Sequence, residues 1–254
     1  MKKPKYIHLE TSHNLKSPRG IVPQVMKLFA PASVVDVGCG IGTFLFAFKE
    51  AGVKDVLGID GHWVNRDLLK KYLHDNEFME WDLEKPIKMD KRFDLVISLE
   101  VAEHLSPDSA DSFVKNLVEL GDIVLFGAAV PSQGGTNHLN EQWLTYWEKK
   151  FLEHEYLLYD ALRPLIWNDK DVFWWYKQNS VIFASKNLNL NIETKINPPT
   201  MRNIVHYDFL LEKSIAYDKL IRGNESPLTY IKCLIKSIFN LGSRYDDKYS
   251  NTTT

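Results

Sequence analysis

Apolar residues first recur at helical spacing in the stretch Ile21 to Phe29, at Val22, Val25, Met26 and Phe29. The pattern then becomes continuous in Ser33-Val34-Val35-Asp36-Val37, which predicts a buried strand. A glycine-rich turn follows, and Thr43 to Ala51 returns to helical spacing with Gly52 just past its end. The alternation then repeats. Strands are predicted at Asp55 to Ile59, Phe78 to Trp81, Phe93 to Leu99 and Asp122 to Ala129, with helices at Arg66 to His74 and Ser109 to Glu119. Strands alternating with helices imply a parallel sheet with right-handed crossovers.

Beyond Pro131 the pattern changes. Ser132 to Asn140 is a polar loop, Glu141 to Phe151 reads as a helix, and Tyr156 to Ala161 and Ser180 to Ser185 read as two more strands. An aromatic-rich segment, Trp167 to Tyr176, lies between those strands. Amphipathic helices are expected from Ile204 to Ile221 and from Leu228 to Leu241, and the polar tail Ser243 to Thr254 is expected to be disordered. The division expected is a lead-in over 1–32, with Pro18, Pro23 and Pro31 as punctuation, an α/β core over 33–186, and a helical extension over 187–254.

Composition narrows the classes. At 254 residues the chain is long enough for one α/β domain with a large core, or for a core domain plus a modest appendage. A formal net charge of -2 sets up no strong field toward nucleic acid or an anionic membrane. Lys2, Lys3 and Lys5 precede no apolar stretch, so no secretory signal is expected. No run is long enough for a spanning helix, which leads to the expectation of a cytoplasmic setting. The two cysteines, Cys39 and Cys233, make no disulfide framework.

Chemistry first enters at Gly38-Cys39-Gly40-Ile41-Gly42. A strand, a glycine turn and a helix bring backbone N–H groups close to a ligand. The dinucleotide fingerprint places its third glycine one position later, where Thr43 stands. Three acids accompany the loop: Asp36 in the preceding strand, Asp60 before Gly61 at the end of the next, and Asp82 at the end of the third. Asp36 is placed to meet an ammonium group, Asp60 to accept both ribose hydroxyls, and Asp82 to accept from an adenine amino group. Taken singly, each reads equally well as a turn residue or cap.

Val34 to Gly42 resembles motif I of class I S-adenosylmethionine (SAM)-dependent methyltransferases. Gly58-Ile59-Asp60 resembles their acidic second motif, Asp82-Leu83 their adenine-contacting pair, and Phe93 to Ser98 their fourth strand. The resemblance implies a Rossmann-like, seven-stranded, mostly parallel sheet with an antiparallel last pair. It also implies a SAM site built from Asp36, Gly38, Cys39, Gly40, Gly42, Asp60, Gly61, Asp82, Leu83 and Leu99.

After the fourth strand comes Glu100-Val101-Ala102-Glu103-His104. If Glu100 opens a helical turn, Glu103 and His104 share its face. Together with His138 in the later loop, they make a candidate site for Mg²⁺, Mn²⁺ or Zn²⁺. The set resembles the metal site of small-RNA 3′-terminal 2′-O-methyltransferases and of ubiquinone-pathway O-methyltransferases. Two other readings stay open: a metal-free site with His104 or His138 as general base beside Glu103, and one in which neither histidine takes part.

For the acceptor, Pro131 to Trp143 and Trp174 to Ala184 resemble segments of bacterial surface-polysaccharide O-methyltransferases. That implies a sugar or glycan hydroxyl, with Trp167, Trp174, Trp175 and Tyr176 as candidate stacking residues or, equally, as core. RNA is the weaker acceptor. A nicotinamide-dependent oxidoreductase and a non-catalytic SAM-binding protein are the readings from other classes. Lys213, Lys219, Arg222, Lys232 and Lys236 lie beside apolar residues in the last helices, which suggests a homodimer face, a peripheral membrane contact or plain packing.

Overall fold

Seven short, largely apolar runs pair into one sheet in the computed structural model, which describes residues 13–188 and 202–239. They are β1 (Ser33–Val37), β2 (Asp55–Asp60), β3 (Phe78–Glu80), β4 (Leu95–Leu99), β5 (Ile123–Gly127), β6 (Tyr156–Tyr159) and β7 (Val181–Ser185), in the order β3-β2-β1-β4-β5-β7-β6. All neighbours through β5 are parallel. β7 runs antiparallel to β5 on one side and β6 on the other. The expected Rossmann-like sheet is therefore present, including its reversed end.

Alternation along each strand sorts the core into two layers. Val35, Val37, Val96, Phe126 and Phe183 face one layer, where they meet Phe113 and Leu117 of α4 (Ala110–Leu120) and Trp147 and Phe151 of α5 (Leu144–Glu153). Val34, Leu95, Ile97, Leu125 and Ile182 face the other, against α1 (Lys16–Phe29) and α2 (Thr43–Glu50). Every residue of β4 is buried, as expected of a strand covered on both faces. Phe151 stacks on Phe183 at 3.9 Å between ring centroids, tying α5 to the antiparallel end of the sheet.

Several boundaries differ from the expectation. α1 begins at Lys16, so Pro18 and Pro23 lie inside the helix instead of punctuating a lead-in. Pro18 sits in the first turn, where no N–H is needed. The burial of Ser17, Pro18, Ile21, Val22 and Val25 holds the whole segment helical. The helix predicted over Arg66 to His74 shortens to α3 (Arg66–Leu69). Asn65 caps it by accepting from the N–H groups of Asp67 and Leu68. The chain then turns, and Leu73 is buried against Gly42. α6 (Arg163–Ile166) precedes the aromatic segment, which is α-helical only from Trp174, in α7 (Trp174–Asn179).

The chain forms two compact units, one running to His206 and one from Tyr207. The second contains α8 (Tyr207–Ile221) and α9 (Pro227–Phe239). The expected disordered tail lies outside the described residues. Among the described residues, no helix is long and apolar enough to cross a membrane.

The strand order reverses direction between β1 and β4, since β1 leads outward to β2 and β3 while β4 leads to β5. In open α/β sheets such a switch point opens a crevice at the carboxyl ends of the strands. The glycine loop, Asp60, Glu100 and the loop after β5 all follow from those ends.

Candidate active site

The glycine loop is held from β2. The Gly38 N–H donates to the Ile59 carbonyl at 2.7 Å, and the Gly42 N–H donates to the Cys39 carbonyl at 2.9 Å. Gly38 has φ +91°, and a Cβ there would fall 2.3 Å from the Val101 side chain. Only glycine satisfies both demands. The Asp60 carboxylate closes the loop by accepting from the N–H of Gly40 at 2.7 Å and from the N–H of Gly61 at 2.6 Å. Cys39 is buried with its thiol toward the Gly40 carbonyl, and burial pushes that thiol up, away from the thiolate a nucleophile needs.

Two acids sit buried at this end of the sheet. Burial, and then the charge of Asp60, pushes Asp36 up to about 8. Burial raises Asp60 to about 6, against the hydrogen bonds of Gly40, Gly61 and Trp63 that hold it down. A cationic ligand between them would relieve both. The residues therefore fit a positively charged nucleoside cofactor: a loop without side chains to admit it, and two enclosed carboxylates to face it. Asp82 is exposed and accepts from the Glu84 N–H at 3.1 Å, which opens a turn, with Leu83 buried behind it. Leu99 is buried at the end of β4. The Trp63 ring lies over Gly61, where a Cβ would meet it at 2.2 Å.

The segment after β4 departs from the expected helical turn. Glu100 takes a left-handed backbone, φ 58°, and only Ala102–His104 forms a short 3-10 turn. Glu100 therefore does not share one helical face with Glu103 and His104. Ligand atoms of Glu103, His104 and His138 all lie within 4.8 Å of one another. Glu100 is turned elsewhere: its carboxylate accepts from the side-chain amides of Gln133 at 2.7 Å and Asn179 at 2.8 Å. Its carboxyl is enclosed although the residue keeps some exposure, and burial raises its pKa to about 7.

Glu103 is fully buried, and neither of its carboxylate oxygens has a well-formed hydrogen bond. Burial and the neighbouring Glu100 charge push it far up, which the N–H groups of Glu103 and Ala129 only temper. His104 is pushed down to about 4, first by burial and then by His138, against the backbone of Asn137 and Thr136. The two imidazole rings meet edge to face at 4.8 Å.

The loop bearing His138 is ordered by Glu141, which the sequence did not single out. Its carboxylate accepts from the N–H groups of Ser132 at 2.8 Å and Gly134 at 2.6 Å, and bonds His138 Nδ1 at 2.9 Å. The remaining nitrogen, Nε2, lies above Gly135, where a Cβ would stand 2.2 Å from it. The i,i+3 spacing to His138 was the only signal for Glu141. Gln133 and Asn179 left none, because they are 46 residues apart and meet only in three dimensions.

The candidate aromatics are half-buried. Tyr176 packs edge-on against Phe44 of α2 at 5.4 Å, just past the glycine loop. Trp175 stacks on Phe173 at 4.5 Å and meets Trp174 edge-on. Trp167 lies apart from these three, against His206 at 4.5 Å.

Residues 34–120 match a family model described as a methyltransferase domain. Among solved structures, the chain is similar to DesVI of Streptomyces venezuelae, with 12% identity over 71% of this chain and 100% of that one, at a TM-score of 0.51. It is similar to PKMT2 of Rickettsia typhi in complex with AdoHcy, with 16% identity over 71% of this chain and 55% of that one, at 0.51. It is also similar to an O-methyltransferase family protein from Burkholderia thailandensis, with 14% identity over 67% and 56%, at 0.50. No curated protein matches the sequence. Those structural likenesses show the fold, and the segment that carries the glycine loop, Asp36 and Asp60 is the part of the chain that matches a methyltransferase domain.

Proposed function

We propose that this chain is a SAM-dependent methyltransferase acting on a hydroxyl oxygen of a sugar or glycan, at a site where Glu103, His104 and His138 hold a divalent cation such as Mg²⁺ or Mn²⁺. One observation carries the reading: a fully buried carboxylate whose oxygens have no well-formed hydrogen bond, beside two imidazoles, with all three ligand atoms within 4.8 Å. A buried carboxylate in that state requires either a proton or a cation. One oxygen and two nitrogen donors suit a borderline divalent metal and leave room for acceptor oxygens. His138 meets a second requirement of such a ligand, since Glu141 on Nδ1 orients the ring and leaves Nε2 free to coordinate.

When bound, SAM supplies the methyl group and the metal lowers the pKa of a coordinated hydroxyl. The chain's own residues do the rest. Asp36, Asp60 and the glycine loop orient the cofactor at the ends of β1 and β2. Gln133 and Asn179 hold Glu100 away from the ligand cluster, beside the end of β4. Rates follow from positioning, since the transfer needs no covalent intermediate on the enzyme. Trp174, Trp175 and Tyr176 supply ring faces suited to the apolar face of a sugar. The net charge of -2 speaks against RNA as the acceptor.

A second reading rests on the His138–Glu141 pair. Without a metal, that pair has the form of a base held in one tautomer by a carboxylate. Turnover of a hydroxyl-bearing glycan panel, after exhaustive chelation and with metal restored, separates the two. Rescue by Mg²⁺ or Mn²⁺ supports the metal; full activity in the chelated enzyme supports the base. Methylation confined to amines or to RNA would overturn the acceptor assignment.

A further inference from the structure

The second unit carries a helix that matches no role in methyl transfer. Along α9, Leu228, Ile231, Leu234 and Ile235 follow helical spacing and form one row. These four side chains are 47% to 60% exposed, so neither α8 nor the connecting turn covers them. That turn is built: the Tyr230 hydroxyl donates to the Leu220 carbonyl at 2.9 Å and accepts from the Glu225 N–H at 3.2 Å. The apolar row therefore belongs to a formed helix beside a pinned turn.

Charge says what suits the row. Pro227–Phe239 contains two lysines, Lys232 and Lys236, and no acidic residue. Lys232 stands four residues from Leu228 and borders the row. α8 differs: it also exposes leucines, but it mixes Asp208, Glu212 and Asp218 with Lys213 and Lys219. An apolar row flanked on one side by Lys232, in a helix whose sequence has no acidic residue, complements an anionic lipid surface, where the apolar side chains enter the interface and the ammonium group meets headgroups. Over its 13 described residues the helix spans about 20 Å, and its lysines and polar residues suit a helix lying in an interface.

We propose that α9 is a docking surface for an anionic membrane, on which the protein rests by this helix. The inference is independent of the acceptor and of the metal.

The test is sedimentation of the full chain with vesicles of phosphatidylcholine alone or mixed with phosphatidylglycerol, at low and high salt. The expected result is about tenfold stronger partitioning to the anionic vesicles at low salt, falling severalfold at high salt. The double variant Ile231→Asp with Leu234→Asp, and the double variant Lys232→Glu with Lys236→Glu, should both lose it. Circular dichroism and binding of S-adenosylhomocysteine check that each variant remains folded. No partitioning at low salt overturns the proposal, as does partitioning that both variants retain. A mass that doubles with concentration and is halved by the aspartate variant, without vesicle binding, also overturns it and makes the row a contact between copies.

Discussion

His138 Nδ1 lies 2.9 Å from the Glu141 carboxylate, which also accepts from the Ser132 and Gly134 N–H groups. One acid thus fixes both the loop after β5 and the direction of the imidazole it carries. Removing it by Glu141→Ala is expected to weaken Mn²⁺ binding by about tenfold or more. Affinity for S-adenosylhomocysteine should stay within about twofold, because the glycine loop is held from β2 and not from this loop. Calorimetry with each ligand checks both numbers. Equal losses for the two ligands would mean that Glu141 supports the fold of the whole crevice.

Gly38→Ala tests the cofactor loop. The new Cβ would need a left-handed backbone and would fall 2.3 Å from Val101. The expected cost is about 1–3 kcal/mol of stability, with cofactor affinity reduced at least about tenfold if that strain displaces the loop. Urea unfolding and calorimetry with S-adenosylhomocysteine give the two values. An unchanged affinity would show that the N–H groups of this turn do not face the cofactor.

Asp36 predicts a pH dependence. In the unbound protein it keeps its proton to about pH 8, whereas an unfolded aspartate loses its own near pH 4. Between those values the folded state binds more protons. The contribution of Asp36 to stability is therefore full below about pH 4 and declines as pH rises toward 8. Asp36→Asn should flatten that decline, as read from urea midpoints at pH 5 and pH 8. A cationic cofactor favours the ionised acid, so SAM affinity of the parent protein should rise over the same range and that of the variant should not. A parallel rise in both would remove Asp36 from the site.

Phe151→Ala tests the antiparallel end of the sheet. The ring is fully buried and stacked on Phe183, so its loss should cost about 3–5 kcal/mol. The change is expected in the urea midpoint, with cofactor affinity retained in the folded fraction. A cost under about 1 kcal/mol would show that α5 and β7 repack around the gap.

The sheet was legible because its signals are local. Each run from β1 to β7 is apolar over consecutive residues, and the glycine turn, Asp36 and Asp60 lie within one strand–turn–helix–strand stretch. Boundaries were less legible where packing overrode a local signal. Pro18 and Pro23 read as punctuation, yet both lie in a helix that buries its apolar face. Arg66 to His74 read as one helix, yet the chain turns early to bury Leu73 against Gly42.

The sequence by itself determined the alternation of strands and helices and singled out the glycine loop, Glu103, His104 and His138 as candidates, because hydrophobic periodicity and glycine spacing act over a few residues; the reversed end of the sheet was implied only by the family resemblance. The tertiary structure alone decided which side chains meet. It separated Glu100 from the other three, because a left-handed backbone at that residue turns its carboxylate toward Gln133 and Asn179. It also gave His138 its partner in Glu141, because the loop after β5 folds back on itself at the carboxyl end of the sheet. Such encounters depend on which loops the strand order brings to one edge, and no local pattern in the chain encodes that order.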